Sequence, residues 1–181
     1  RAGALRTGRG RGLSHLFRLI SRTRAIKPAR RLELYPPFRA MRISVIEIAD
    51  DWSSATILLP LNRHNRNPGG GMFGGAMASL ADPVPALMCA RIFPGHSVWT
   101  RSMSIDFSRE GRSDLTLRIA IDREQLEEKG AELGSRMRET PEFEYAYFDA
   151  DGHLCAQVIN RVAIRPAGYK RAQGALGTIK R

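Results

Sequence analysis

The sequence predicts an α+β fold in which a curved antiparallel sheet of about six strands wraps one long central helix. Three observations lead there. Between residues 41 and 165, apolar and polar residues alternate in several short runs, the period of strands with one buried face. Residues 67–90 instead repeat their large apolar side chains at helical spacing, with small or apolar residues between them. The chain has 181 residues, 43% of them hydrophobic and 26% charged. That suffices for one globular domain with its own core, without disulfide or metal.

The N-terminal run RAGALRTGRGRG is rich in glycine and arginine, has no acid and predicts no independent fold. In LSHLFRLISRTRAI, which follows, Leu13, Phe17, Ile20 and Arg24 fall at helical spacing and predict a short basic amphipathic helix. Pro36 and Pro37 in LYPPF lack amide hydrogens and restrict the residues before them, so the folded domain is expected to begin near residue 40. MRISVIEIA and WSSATILLP, joined by Asp50 and Asp51, predict a hairpin, with Trp52 at a strand position. The central helix is expected from Phe73 to Ile92, buried nearly all round and bent where Pro83 and Pro85 remove two backbone donors.

Beyond the helix, Trp99, Met103, Ile105 and Phe107 share one side of a strand, and Ser102, Ser104, Asp106 and Ser108 share the other. Leu115, Leu117, Ile119 and Ile121 repeat the pattern. After the charged segment DREQLEEKGAELGSRMRE comes FEYAYFDADGHLCAQVINRVAIR, a hairpin turning at Asp151-Gly152. Pro166 stops its last strand. The expected organisation is a basic arm over residues 1–40, a folded domain over 41–165 and a basic tail over 166–181.

The formal net charge is +11, but its distribution argues against a nucleic-acid-binding domain. Residues 1–40 carry eleven basic side chains and one acid, Glu33, whereas residues 41–164 carry 13 basic and 17 acidic ones. The domain is mildly acidic and offers duplex nucleic acid no basic face. The arm's helix is expected to pack over the edge of the domain; after that reading come contact with an anionic surface or import into a mitochondrion, and then a nucleic-acid-binding arm, and without import the expected compartment is the cytoplasm. Cys89 and Cys155 sit in apolar or alternating runs and read as buried reduced thiols. His15, His64, His96 and His153 are scattered without metal-ligand spacing, so no metal is expected. His64 and Asn65 lie near the glycine loop, in what reads as an exposed turn from which they could donate to a ligand.

Asp82 carries the most information, because it is the one charged residue between Arg66 and Arg91. A carboxylate buried there costs several kcal/mol or takes up a proton, and a ligand-facing or catalytic role explains such a residue better than a structural one. Gly69, Gly70, Gly71, Gly74 and Gly75 clear side chains from the entry to the helix. The first helical amides point outward there and suit a developing negative charge on a carbonyl oxygen. The same glycines also fit a tight turn with close helix-sheet packing. No GKS or GKT follows, and no dinucleotide fingerprint or GxSxG elbow is present. Ser79 shares the helical side of Asp82 but has little support as a nucleophile.

The run NPGGGMFGGAMASLAD resembles the N-x5-HGG-x6-D segment of hotdog-fold acyl-CoA thioesterases of the phenylacetate-pathway (PaaI) type. More closely, PPF, DDWSSATILLP, NRNPGGGMFGG, LADP and VWTRSMSIDFSR resemble the DUF4442 branch of hotdog proteins. The resemblance implies a hotdog fold and sites formed between two subunits. It gives Asn67 the placing of water or acyl carbonyl, Gly75 an amide for the thioester oxygen, and Asp82 the part of general base or nucleophile. Gly74 beside them is the candidate contact for coenzyme A. Phe73 stands at the motif's histidine position and cannot donate that histidine's hydrogen bond.

The reading is therefore an acyl-CoA thioesterase-like hydrolase, with coenzyme A as part of its substrate and no resident cofactor. The competing reading is a non-hydrolytic acyl- or acyl-CoA-binding or structural hotdog protein in which Phe73 fills the pocket. Either is expected as a homodimer or a dimer of dimers. Arg63, Arg66 and Arg101 are the candidates for the phosphates of coenzyme A, with nothing in the sequence to choose among them.

Overall fold

A computed structural model of the chain describes residues 27–122 and 138–169, together with residues 124, 128, 130 and 131. The amphipathic helix expected near residues 13–26, most of the charged segment and the tail beyond Tyr169 lie outside the described residues. Six strands form one antiparallel sheet: β1 (Ser44–Ile48), β2 (Ser54–Leu59), β3 (His96–Phe107), β4 (Leu115–Ala120), β5 (Glu142–Phe148) and β6 (Leu154–Pro166). Their order is β1-β2-β4-β5-β6-β3, which leaves β1 and β3 as edges. Both expected hairpins form, and Gly152 takes the positive φ of 84° that the Asp151-Gly152 turn asks for.

Among the described residues, the helices with defined bounds are α1 (Pro28–Glu33), α2 (Pro36–Met41), α3 (Gly74–Ala81) and α4 (Pro83–Ile92). Ala76, Met77, Leu80, Ala81, Val84, Pro85, Met88 and Cys89 form one buried stripe along α3 and α4. They pack with Ile57, Leu59, Leu115, Leu117, Tyr147, Val158, Val162 and Ile164 of the sheet. Each such large side chain contributes roughly 1.5–3 kcal/mol by leaving water.

The central helix departs from expectation in two ways. Its hydrogen-bond ladder is interrupted at Asp82, although Asp82 keeps helical angles (φ −49°, ψ −56°), because Pro83 and Pro85 supply no donors. It is also not buried all round. Ser79, Asp82, Ala90 and Arg91 fall off the apolar stripe and are exposed.

Three further corrections concern particular residues. The packed unit begins ahead of residue 40, since Leu32, Phe38 and Met41 belong to the same core. Pro36 and Pro37 start α2 instead of ending structure, as missing amide hydrogens cost nothing in a first helical turn. Trp52 lies in the β1–β2 turn with φ 63° and not in a strand. In β3 the register shifts between Thr100 and Ser102, so Arg101 is an extra residue. That bulge reverses the alternation: Val98, Met103 and Ile105 pack on the core, while Trp99 faces the other way.

Candidate active site

The loop ahead of α3 is held by three asparagines. Asn62 Oδ1 accepts the amides of His64 and Asn65 at 2.8 and 3.2 Å. Asn65 is buried, and its Nδ2 donates to the carbonyls of Met41 and Pro60 at 2.7 and 2.9 Å. It is a strut of the loop and not a donor in an exposed turn. His64 is exposed, with Nε2 3.1 Å from Arg63 Nε. Asn67 closes the glycine turn: Oδ1 accepts the Gly71 amide at 3.1 Å and Nδ2 donates to the Met72 carbonyl at 3.2 Å. Both ends of its amide are thereby engaged within the loop. Gly70, at φ 91°, is where this turn requires a glycine.

The amides of Met72 and Phe73 donate to the carbonyls of Gly111 and Asn65, both at 2.7 Å, which fixes the start of α3. The first intrahelical bonds come from Ala76 and Met77, to the Phe73 carbonyl. The amides of Gly74 and Gly75 precede that ladder and have no acceptor within the helix. Two aromatic rings lie over these glycines. A Cβ on Gly74 would stand 3.2 Å from the Phe107 ring, and one on Gly75 would stand 2.4 Å from the Phe73 ring. Phe73 and Phe107 are 51% and 52% exposed, so solvent and not core packing surrounds much of each ring.

Asp82 lies where the two prolines leave carbonyls without helical donors. Amides at positions 83 and 85 would have bonded the carbonyls of Ser79 and Ala81, four residues back. The sheet supplies a substitute at Ala81 and further donors to nearby carbonyls. Tyr145 Oη on β5 donates to the Ala81 carbonyl at 2.8 Å, and Tyr147 Oη donates to that of Met77 at 2.7 Å. Asn160 Nδ2 on β6 donates to the Asp82 carbonyl at 3.2 Å and to Tyr145 Oη at 3.1 Å. Thr100 Oγ1 on β3 donates to the Asp82 carbonyl at 2.7 Å.

Burial pushes the Tyr145 phenol well up, the Asn160 hydrogen bond opposes this, and the Asp82 charge adds to it; burial raises Tyr147 as well. Both phenols therefore remain O–H donors. Tyr145, Asn160 and Thr100 are the residues that sequence reasoning missed. The signal for one of them was present, since Asn160 stands in phase with Val158 and Val162 on the buried face of β6.

The Asp82 carboxylate contrasts with its carbonyl. It does not cap α4 and has no hydrogen-bond or ion-pair partner among the described residues. It is exposed, not buried as expected, because it falls off the apolar stripe of the helices. Gly75 and Asp82 are seven residues apart, about 10 Å along the axis at the helical rise. An oxyanion donor stands roughly 3 Å from its oxygen, whereas a base acting through water stands farther off, so these two groups of one chain meet a single carbonyl only with that water relay stretched along the whole gap.

Other reactive groups are accounted for. Ser79 Oγ donates to the Gly75 carbonyl at 2.7 Å. Burial pushes the Cys89 thiol up to about 12, which suppresses its thiolate. Asp149, Asp151 and His153 gather ligand atoms within 4.8 Å of one another at the tip of the β5–β6 hairpin. Turn chemistry explains them: Asp149 Oδ1 accepts the amides of Asp151 and His153 at 3.0 and 2.8 Å. These bonds, the one from the His153 amide foremost, hold the Asp149 carboxyl below its usual range.

Residues 24–162 match the family described as a domain of unknown function, DUF4442. No curated protein shows significant similarity to the chain. Among solved structures, a Pseudomonas aeruginosa protein of unknown function, described as a probable thioesterase, is 18% identical with a TM-score of 0.68, over 76% of this chain and 93% of its own. A Haemophilus influenzae thioesterase is 14% identical with a TM-score of 0.61, over 78% and 90%. A conserved protein, also from P. aeruginosa, is 22% identical with a TM-score of 0.57, over 76% and 99%. These identities speak to fold alone, and the fold is the hotdog one.

Proposed function

The chain belongs to the DUF4442 family, and from that premise we propose that it is an acyl-CoA thioesterase-like hydrolase related to the phenylacetate-pathway type. One observation carries the reading: the backbone of Asp82 is pinned from β3 and β6 while its carboxylate has no partner among the described residues at the helix break. A residue fixed in position with its acid group unspent suits proton transfer.

In the proposed reaction the Asp82 carboxylate takes a proton from water as the water oxygen attacks the thioester carbonyl carbon. The Gly75 amide donates to the resulting oxyanion. Collapse breaks the C–S bond, releases the carboxylic acid product, and returns the proton from Asp82 to the departing coenzyme A thiolate. Asn67 serves by holding the glycine turn, since its amide is engaged there. The separation of Gly75 and Asp82 within one chain supports a site built from two copies. The twelve-residue edge strand β3, next to Asp82 through Thr100, is the surface proposed to pair with the second copy.

A second reading has its own observation. The Phe73 ring lies against Gly75, where the proposed oxyanion must sit, and this favours a non-hydrolytic acyl- or acyl-CoA-binding or structural protein. Release of free thiol from short, branched, aromatic and long acyl-CoAs separates the two. Hydrolysis that falls at least about 100-fold in Asp82→Asn, with the oligomeric state unchanged, supports the first reading. Equal turnover in parent and variant removes Asp82 from the chemistry, and saturable binding without turnover supports the second.

A further inference from the structure

Trp99, Thr100, Arg101, Ala163, Arg165 and Tyr169 line a groove of about 610 Å³ at the β3 bulge, within the size range of small-molecule sites. Because the bulge turns Trp99 away from the core, the groove opens on the face of the sheet opposite the helices.

Its chemistry is specific. The Trp99 and Tyr169 rings lie nearly parallel, 23° apart with centroids separated by 6.4 Å, and Trp99 is 40% exposed. The Arg165 guanidinium stands 5.8 Å from the Trp99 ring and that of Arg138 stands 5.2 Å from the Tyr169 ring. Arg165 donates from Nη1 to the carbonyls of Glu139 and Ile164 and from Nη2 to Thr140 Oγ1, which fixes it in place. Its Nε hydrogen and one Nη2 hydrogen remain. Arg101 is exposed and has no ion pair among the described residues. No carboxylate is among the described residues that line the groove, although acids outnumber bases across residues 41–164.

Flat aromatic faces with fixed cations beside them fit a ligand that joins a planar base to phosphate. Stacking supplies sequence-tolerant attraction for the base, and arginine forks match phosphate oxygens. Thr100 lines the groove and also bonds the Asp82 carbonyl, so this residue of the edge strand β3 links the groove on one face of the sheet to the helix break on the other. A long substrate lying over that edge would keep its non-reacting end in the groove. We propose that this groove is the subsite for the nucleotide end of a coenzyme A thioester, with the base against Trp99 and Tyr169 and the phosphates on Arg101 and Arg165. The identification of coenzyme A rests on the thioesterase reading; the affinity for a phosphorylated purine nucleoside does not.

The test uses the full chain with adenosine 3′,5′-bisphosphate, ADP and inorganic phosphate as separate probes, followed by calorimetry and by the fluorescence of exposed Trp99 against buried Trp52. Expected is saturable binding of the bisphosphate that weakens with salt, falls at least about tenfold in Arg101→Ala and in Trp99→Leu, and persists in Asp82→Asn. In turnover, Arg101→Ala should raise KM for acyl-CoA with kcat unchanged, and leave an acyl-pantetheine substrate, which has no nucleotide, unaffected. No binding of the bisphosphate, or equal affinity in parent and both groove variants, overturns the subsite. ADP bound as tightly as the bisphosphate overturns its assignment to coenzyme A. Bisphosphate binding without hydrolysis of any acyl-CoA keeps the groove and removes the hydrolase reading. Hydrolysis with KM unmoved by either groove variant does the reverse.

Discussion

Asp82 divides its duties between two groups, a carbonyl held by Thr100 and Asn160 and a carboxylate with no partner among the described residues. The sequence singles it out as a candidate, one charge in a long apolar stretch, but its exposure was not legible there. Burial depends on which side of the helix meets the sheet, and the positions around Asp82 were too uniformly small and apolar to show that side. Asn67 teaches a related lesson: a motif gives the residue, and only the fold shows that its amide closes a turn.

The cysteines give a test at this scale. Both are buried free thiols, and burial pushes Cys89 up to about 12 and raises Cys155 as well. A folded-state value raised above the unfolded one means stability that is full below the unfolded thiol range and is lost as pH climbs from about 8.5 toward the folded value. A chromogenic disulfide reagent at pH 8 should find neither thiol in the native chain and both in guanidinium. Fast native reaction of either would contradict the packing described.

At the scale of elements, the interrupted helix is held by the sheet. Two prolines remove donors, and Tyr145, Tyr147 and Asn160 bond nearby carbonyls from β5 and β6. The prolines were readable as a bend. Their partners were not, because Tyr145 lies 64 residues from Ala81 and nothing local ties the two. The β3 bulge was hidden for a similar reason: alternation read across Arg101 is unbroken in sequence and reversed in space.

The account predicts a coupling. Tyr145→Phe leaves the Ala81 carbonyl without its donor and should cost about 1–3 kcal/mol in denaturant unfolding. Pro85→Ala restores an amide at the position that would bond that carbonyl, so the same tyrosine change should cost less in that background. Additive costs in the double-variant cycle would show that Tyr145 does not stand in for the missing amide.

For the whole molecule, the sheet ends on β3, a long edge beside Asp82, and on the shorter β1. The wrapped sheet and its strand count were legible from period alone, because one-sided burial repeats along each strand. The start of the packed unit was misjudged, since Pro36 and Pro37 look alike whether they end structure or open a helix. An edge with no partner strand among the described residues and a wide gap between Gly75 and Asp82 would both be met by the proposed second copy related by a two-fold axis. Light scattering should then report at least twice the chain mass of 20.2 kDa.

The central claim, that Asp82 of one copy works with Gly75 of another, is tested most directly by mixing two inactive chains. Asp82→Asn lacks the base, and Gly75→Val both blocks the oxyanion position and displaces the exposed Phe73 ring. Each alone should release no thiol from an acyl-CoA that the parent hydrolyses. Unfolded together in equal amounts and refolded, they should form mixed dimers with one intact site each, which restores about a quarter of parental activity if pairing is random. Mixed dimers that form and remain inactive would contradict a site shared between two copies.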